Sequence, residues 1–500
     1  MNVIVIVCDT LRRDHCGPYH KGRPLNMCGH PEQPDWVVPT PNMDRLAAKG
    51  TVFENAWCGS TPCMPARRDI YTGRYEFLER GWGPLEERDL DLPTQVSGTP
   101  NESVAKMMRD GRPVSYLVTD HFHLWEKGSG NYHMGYTGFE FIRGHEADAW
   151  YTDPDEFFCP EKDKYYKTER HFRAAHFERK SEEDWFAPKV FTKASEWLSR
   201  NYKHDSFYLH IDCFDPHEPW DAPEEYVKMF DPRGYDVEEW RAMAPYDKWA
   251  NNMTESEFLH FRARYAAHVT LVDKWLGKLL DKMDELGLWE NTMVILTTDH
   301  GTYNGDRGRM GKRQTHEFGS VGHIPFIVYH PEYGHGERRS QLVQLVDIYP
   351  TTLNALSRLV PAERHGINLI PVLKDPAAPT RSYALAGQFG MSVTITDGEW
   401  VLHQSPVKEN KPLNWYGYVL AKSMSYNLGE FINGKREVFD CDPWSEPTWL
   451  SNKKDDPGEL RNVCDEYPEK LLEMQKVLKE TLIRLRAPIE QLDRLGIREK

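Results

Sequence analysis

Long apolar runs are missing from this 500-residue sequence. No stretch approaches the roughly 20 consecutive apolar residues that a membrane-spanning helix needs, so the sequence predicts no association with a membrane. The apolar run Val3–Val7 has the length of a strand, without a basic stretch before it or a small-residue cleavage site after it. We therefore expect a strand rather than a signal peptide there, and a cytoplasmic protein.

Cysteine pairs, excess positive charge and sequence repeats are also lacking. The nine cysteines are odd in number and scattered, without the spacing of a metal-binding cluster, which fits a reducing compartment. The formal net charge of -15 argues against a general nucleic-acid binder. Any anionic substrate must therefore be attracted by local positive charge. A chain of this length without low-complexity linkers predicts one large domain and a smaller one.

The segment around Cys63 is the most distinctive part of what remains. It reads Cys63-x-Pro65-x-Arg67, and the residues after it predict a short helix that stops at Gly73. Pro65 suits the first turn of a helix, where a missing N–H costs nothing. Cys63 therefore lies at a helix N-terminus, where free N–H groups favour an anion, and Arg67 follows one turn later on the same face.

Two apolar strands end in potential metal ligands. Asn2–Val7 leads to Asp9, and Thr292–Thr298 leads to Asp299 and His300. Parallel strands bring their carboxyl ends to one edge of a sheet, so these side chains can meet although they are distant in sequence. Taken alone, Asp9 is more typical of a cap after its strand.

These motifs together resemble the type I sulfatases of the alkaline phosphatase superfamily, a resemblance shared with the related phosphonate monoester hydrolases. The resemblance covers nearly the whole chain, with unmatched inserts at about 17–36, 125–200 and 220–255. Besides Cys63-x-Pro65-x-Arg67, the segments that carry it are Thr72–Arg74, Thr40–Leu46, Pro216–Pro219 and Asp299–Gly301.

The resemblance implies an α/β fold of the alkaline-phosphatase type, with a mixed, mostly parallel sheet between helices. We expect this catalytic domain at residues 1–375 and a smaller α+β subdomain, with an antiparallel sheet and a terminal helix, at 376–500. Hairpin patterns after residue 375 and an amphipathic run at Tyr467–Arg486 fit this division. Four apolar residues of the tail either pack on this chain or reach a neighbour in a homo-oligomer: Ile489, Leu492, Leu495 and Ile497.

The resemblance also implies a metal centre and a modified residue. A sulfatase-maturing enzyme, such as the formylglycine-generating enzyme, would convert Cys63 to formylglycine. Asp9, Asp299, His300 and the oxygen of residue 63 would then hold one divalent cation, with Ca²⁺ expected and Mn²⁺ as the alternative. The family usually has a second aspartate where this chain has Thr10. The Thr10 side chain, the Thr10 carbonyl or a water molecule would then replace the missing carboxylate oxygen as a metal ligand.

Further site residues follow from matching positions. Arg67, Lys312 and His217 correspond to groups that bind or activate the transferred group in the family. His123 matches a family histidine, and His121 falls where the family has a lysine. Two histidines two residues apart on an extended stretch share one side, although both could equally be polar residues beside an aromatic cluster. His316 is a further candidate for substrate binding.

An aromatic and charged insert at about 128–185 allows two interpretations. It is either a packed surface loop or a pocket wall that selects the organic half of the substrate. Its prominent segments are Asn131–His133, Trp150–Tyr151 and Tyr165–Tyr166.

The implied reaction is hydrolysis of a small anionic ester. One hydroxyl of hydrated formylglycine attacks, and the other later expels the bound sulfate, which a plain cysteine could not do. The first hypothesis is a sulfuric ester hydrolase. The second is a phosphonate monoester or phosphodiester hydrolase with the same site. The third is a catalytically inactive, anion-binding homologue, against which the intact set of site residues argues.

Overall fold

The structure is a computed structural model, and it describes residues 1–98, 103–126, 128–148, 150, 179–233, 243–312, 316–418, 427–428, 432–440 and 446–498. The strands are β1 Asn2–Cys8, β2 Thr51–Trp57, β3 Ser60–Thr61, β4 Val114–Thr119, β5 Gly138–Phe141, β6 Phe207–Cys213, β7 Thr292–Thr297, β8 Tyr303–Asn304, β9 Met310–Gly311, β10 Phe326–Tyr329, β11 Glu337–Gln344, β12 Ala384–Gln388, β13 Val393–Thr396, β14 Trp400–Gln404, β15 Asn414–Trp415, β16 Asn427–Leu428, β17 Arg436–Asp440 and β18 Trp449–Asn452.

The described helices alternate with the strands of the first part of the chain. They are α1 Gly17–His20, α2 Pro41–Lys49, α3 Cys63–Thr72, α4 Leu92–Ser97, α5 Val104–Arg109, α6 Phe186–Asn201, α7 Glu224–Val227, α8 Glu255–Glu285, α9 Gly319–Gly322, α10 Ile348–Ala355, α11 Ile370–Lys374, α12 Pro468–Arg484 and α13 Glu490–Arg494. Within the described ranges, none of them is long and apolar enough to cross a bilayer.

The main sheet has eight strands in the order β11-β2-β10-β7-β1-β6-β4-β5. Every pairing in it is parallel except those of β10, which runs antiparallel to β7 and β2. The predicted mixed, mostly parallel sheet is therefore confirmed. Side chains of β1 alternate between two apolar layers, with Ile4 and Ile6 on one face and Val3 and Val5 on the other. Burial on both faces explains why β1 is apolar throughout.

A second sheet of five strands has the order β18-β14-β13-β12-β3. The β13–β14 hairpin turns at Asp397–Gly398, as the sequence predicts, with Gly398 at φ 95°. β3 lies just before Cys63 in sequence and pairs in parallel with β12. The division at residue 375 stays a prediction, because this strand of the first part completes the second sheet.

The C-terminal tail packs on its own chain. Leu492, Leu495 and Ile497 join the apolar layer between the second sheet and α12, whereas Ile489 is 55% exposed. Three of the four residues are therefore buried within this chain, and a homo-oligomeric contact through the tail stays a prediction.

The N-terminus of α2 has no side-chain cap. Thr40 does not cap α2 with its side chain, because its Oγ1 accepts a hydrogen bond from Gly17 N at 2.6 Å.

Candidate active site

Asp9 and Asp299 lie beside each other at the carboxyl edge of the main sheet. They follow β1 and β7, which pair in parallel with Val7 opposite Thr297. Thr10 N donates a hydrogen bond to Asp299 Oδ1 at 3.0 Å and thereby joins the two loops. The structure therefore brings the two predicted carboxylates together, as expected for neighbouring parallel strands.

Cys63 reaches the same edge as the first residue of α3, which ends at Gly73 with φ 67°. Its Sγ lies 3.4 Å from His300 Nε2 and 3.8 Å from Asp9 Oδ1. His300 Nδ1 donates to the carbonyl of Gly301 at 2.8 Å, which leaves Nε2 facing Cys63. A backbone hydrogen bond of this kind orients a metal-binding imidazole.

The four predicted metal ligands fit a single ion. The ligand atoms of Asp9, Cys63, Asp299 and His300 all lie within 4.8 Å of one another, and all four residues are buried. Asp9 Oδ2 is buried and accepts no well-aligned hydrogen bond, although the Arg67 guanidinium lies within ion-pair distance of it. Two carboxylates and one imidazole suit a hard divalent cation if residue 63 contributes an oxygen, whereas a thiolate would favour a softer metal.

Arg67 lies beneath this cluster and is fully buried. Its Nη1 is 2.9 Å from Asp9 Oδ2 and 2.7 Å from Asp299 Oδ2. Its Nε and Nη2 donate to Asp212 at 2.8 and 2.6 Å. Three carboxylates against one guanidinium leave an excess of negative charge in a buried volume, which a divalent cation would reduce.

Asp212 is a functional residue that sequence reasoning missed. It lies within the fully buried β6, directly opposite Val7 of β1. Burial raises the pKa of Asp212 to about 6, even though Arg67 opposes the shift. Burial would also raise the pKa of Asp9, but the charge of Arg67 holds it well below its usual value. The signal available in the sequence was a charged residue within a run of mostly apolar residues that predicts a buried strand.

Lys312 follows β9 and approaches the cluster from the opposite side. Its Nζ is 3.7 Å from Cys63 Sγ, 3.3 Å from Thr10 Oγ1 and 3.9 Å from Glu218 Oε1. Burial would lower the pKa of Lys312, but the surrounding negative charges raise it above its ordinary value. Lys312 is therefore a fixed cation beside the predicted nucleophile. Thr10 Oγ1 also contacts Asp9 Oδ1, so its hydroxyl lies at the ligand set.

A cavity of about 220 Å³ opens above Cys63. It is lined by Thr61, Pro62, Cys63, Trp82, His123, Glu146, His217, Tyr246, His300, Lys312, Glu317, Val321 and Gln388. Five of the predicted site residues are therefore in its wall. Trp82, Glu146, Tyr246 and Glu317 line it as well and were not predicted as site residues.

His123 and His217 enter the cavity with different partners. His123 Nδ1 is 2.6 Å from Glu126 Oε2, and its Nε2 is 3.3 Å from Glu146 Oε2. Burial would lower the pKa of His123, but these two carboxylates raise it to about 9. His217 Nδ1 donates to the Glu218 carbonyl, and the ring stacks on Phe214, with centroids 4.2 Å apart. His217 Nε2 is therefore the nitrogen free to act in the cavity.

The structure does not bring His121 to the cavity. Phe122–Leu124 forms a 3-10 helix rather than the expected extended stretch, although the rings of His121 and His123 still lie against each other, with centroids 5.3 Å apart. His121 is fully buried, with Nε2 3.4 Å from Asp9 Oδ2. Burial and the charge of Arg67 lower its pKa well below the usual value. A neutral imidazole here packs behind Asp9 rather than on a substrate.

His316 is likewise placed outside the cavity. Its Nε2 donates to the Pro447 carbonyl at 2.8 Å, and its ring stacks on His403, with centroids 5.1 Å apart. Burial lowers its pKa to about 3. The next residue, Glu317, faces the cavity instead, since neighbouring side chains of an extended segment point to opposite sides.

The aromatic insert contributes less to the described cavity than the pocket-wall reading expects. Tyr151 and Tyr165–Tyr166 lie outside the described residues. Tyr132 is buried and donates to the Gly83 carbonyl at 3.1 Å, which is a packing role. From the described part of this insert, Glu146 is the residue that lines the cavity.

Comparisons with known proteins show which protein family and which solved structures this chain resembles. A sequence model of the family described as Sulfatase matches residues 1–357. Arylsulfatase K of Xenopus laevis is 24% identical over 476 residues, which cover 89% of this chain and 78% of that protein.

Two solved structures share the fold. The phosphonate monoester hydrolase of Agrobacterium radiobacter superposes with a TM-score of 0.64 at 20% identity, covering 97% of this chain and 95% of that one. A structure of BT4656 in complex with its substrate D-glucosamine-2-N,6-O-disulfate gives a TM-score of 0.67 at 16% identity. It covers 100% of this chain and 99% of the other.

Proposed function

Because the chain belongs to the sulfatase family, we propose that it is a metal-dependent sulfuric ester hydrolase whose nucleophile is a formylglycine made from Cys63. One observation carries the proposal. Cys63 lies within 4.8 Å of the ligand atoms of Asp9, Asp299 and His300, at the floor of a cavity lined by Lys312 and two histidines. The proposed substrate is a small sulfated molecule that enters this cavity.

The metal would be held by Asp9, Asp299, His300 and residue 63. When bound, it would supply Lewis acidity toward the anionic ester and lower the pKa of the attacking hydroxyl. We favour Ca²⁺ over Mn²⁺, since oxygen ligands outnumber the one imidazole. Hydrated formylglycine at position 63 would supply one hydroxyl for attack on sulfur and a second for release of sulfate.

The protein residues contribute positioning and charge. Arg67 fixes the Asp9 and Asp299 carboxylates through its buried guanidinium. Lys312 Nζ lies beside residue 63, where it can bind oxygens on which negative charge grows during the reaction. The doubly paired His123 stays an imidazolium at neutral pH, so it adds positive charge near the oxygens of the ester rather than transferring a proton.

His217 is the proposed general acid. Its Nδ1 is engaged by the Glu218 carbonyl, so the proton to be given must be on Nε2. Its ring is fixed by Phe214 and by the loop prolines at 216 and 219. Protonation of the leaving alkoxide by a positioned histidine is worth roughly 10²- to 10⁴-fold in rate.

A phosphonate monoester or phosphodiester hydrolase with the same site is the second candidate. Thr10 favours it, because a hydroxyl contacts Asp9 where sulfatases usually have another carboxylate. Rates on 4-nitrophenyl sulfate and on 4-nitrophenyl phenylphosphonate separate the two, using protein whose modification at residue 63 has been verified by peptide mass. The sulfatase proposal predicts the higher kcat/KM on the sulfate. No turnover of either ester by fully modified protein would instead indicate the inactive, anion-binding homologue.

A further inference from the structure

Glu317 is a buried carboxyl group in the cavity wall that pairs with no cation among the described residues. The residue is 5% exposed, and Thr61 Oγ1 donates to its Oε1 at 2.6 Å. Within the described ranges, no lysine, arginine or histidine forms an ion pair with it. Burial raises its pKa to about 7, with Thr61 as the one group that opposes the shift. A buried carboxylate in this setting gains stability from any cation that enters the cavity.

The other carboxylates around the cavity differ in this respect. Glu146 lies 3.3 Å from His123 Nε2. Glu218 lies 3.9 Å from Lys312 Nζ and accepts a hydrogen bond from Tyr246. Both are therefore balanced by groups of the protein, whereas the charge of Glu317 is left for a ligand.

The position of Glu317 relative to the nucleophile limits the ligand that could reach it. Thr61, its hydrogen-bond donor, precedes Cys63 by two residues, and both line the same cavity of about 220 Å³. Lys312 lines this cavity too, so the organic group of an ester bound through its sulfate at Lys312 enters the space that Glu317 borders. Trp82 and Tyr246 also line this space, and aromatic faces attract organic cations.

We propose that the organic half of the substrate carries a cationic amine that pairs with Glu317, so that the substrates are zwitterionic amino-alkyl or amino-sugar sulfate esters. This inference rests on the proposed sulfuric ester hydrolysis. In this arrangement Lys312 binds the sulfate group, and Glu317 in the cavity wall binds the ammonium group. An organic half without positive charge leaves Glu317 unpaired, and an anionic one is repelled by it.

The test compares the binding of two non-hydrolysable sulfonates that differ only in whether they carry an ammonium group. Taurine carries an ammonium where isethionate carries a hydroxyl. Isothermal titration calorimetry on the full-length, modified protein should give about tenfold tighter binding of taurine, a difference of about 1.4 kcal/mol. The ratio should fall to within about twofold in Glu317→Gln, because glutamine still accepts from Thr61 but carries no charge. Equal binding by the unsubstituted protein would overturn the proposal.

Two further variants separate Glu317 from other acidic groups. Glu146→Gln removes the neighbouring wall carboxylate, which is already paired with His123, and Glu466→Gln removes a surface carboxylate paired with Arg461. Both should keep the preference for taurine. Loss of the preference in Glu146→Gln would contradict the assignment to Glu317, and this variant decides the matter even if Glu317→Gln does not fold.

A substrate comparison separates this inference from the proposed function. Turnover of 2-aminoethyl sulfate should exceed that of 2-hydroxyethyl sulfate by about tenfold in kcat/KM. If 4-nitrophenyl sulfate is hydrolysed but the two alkyl esters react equally, the amine preference is wrong and the sulfatase proposal survives. If modified protein hydrolyses none of the three, the proposed function itself fails.

Discussion

Arg67 donates two parallel hydrogen bonds to Asp212, at 2.8 and 2.6 Å, and both side chains are excluded from solvent. The remaining Nη1 of Arg67 reaches Asp9 and Asp299. A planar guanidinium with this arrangement fixes three carboxylates from three neighbouring strands or their loops. Asp212 is thus a positioning residue that acts on the metal ligands through Arg67.

Asp212→Asn tests this positioning role. An amide cannot accept both hydrogen bonds, and its NH₂ group would face the guanidinium, so the free energy of unfolding should fall by roughly 3 kcal/mol. The kcat/KM should fall by about tenfold or more because the ligand carboxylates lose their support. Urea unfolding and initial rates measure the two effects. Asp493→Asn, which removes an exposed partner of Arg498, is the control and should change stability by less than about 0.5 kcal/mol.

His123 should give the activity an alkaline limit. Its pKa is raised to about 9, so the imidazolium is present below pH 9 and lost as pH rises through that value. The stabilisation from its ion pairs is complete below the unfolded pKa of about 6.5 and disappears as pH rises to about 9. The kcat/KM profile should therefore fall above pH 9. Glu126→Gln removes one carboxylate partner of His123 and should shift this alkaline fall in kcat/KM to lower pH. If the fall stays at the same pH, another group causes it.

Chelation should both inactivate and destabilise the protein. Without a bound cation, the three carboxylates of Asp9, Asp212 and Asp299 outnumber the two positive groups beside them, Arg67 and Lys312. Treatment with EDTA should lower Tm, and Ca²⁺ should restore Tm and activity better than Mn²⁺. Asp299→Asn removes a ligand carboxylate, so its Tm should no longer respond to Ca²⁺. An equal response of this variant would place the ion elsewhere.

The histidines of the sequence motifs should separate into two groups. His217→Gln should lower kcat by at least about a hundredfold, because the proposed general acid is lost. His316→Gln should change kcat/KM by less than about threefold, since its ring bonds the Pro447 carbonyl outside the cavity. A large loss in His316→Gln with unchanged stability would restore it as a substrate ligand.

The sequence predicts those parts of the site that follow from strand ends and helix starts. Asp9 and Asp299 could be paired because each follows an apolar strand, and the parallel order of such strands places their ends together. Cys63 and Arg67 follow from helix periodicity, because four residues make about one turn. These inferences need only local pattern and the general geometry of a parallel sheet.

Residues set by tertiary register were not predictable in the same way. Asp212 lies opposite Val7 only because β6 is the neighbour of β1, which the sequence does not specify. Glu317 rather than His316 faces the cavity because of how the segment before α9 enters the site. Glu146 reaches the cavity from the loop after β5, within an insert that had no matching pattern. Which of two neighbouring side chains faces the cavity, and the path that a loop takes, depend on tertiary packing that a short sequence motif does not specify.

The state of residue 63 is the most direct test of the account. Preparations made with and without a formylglycine-generating enzyme should be compared by peptide mass spectrometry at residue 63 and by kcat on 4-nitrophenyl sulfate. The account predicts that kcat rises in proportion to the fraction of formylglycine and extrapolates to zero when residue 63 is a thiol. Full activity in protein that keeps an unmodified Cys63 would contradict it.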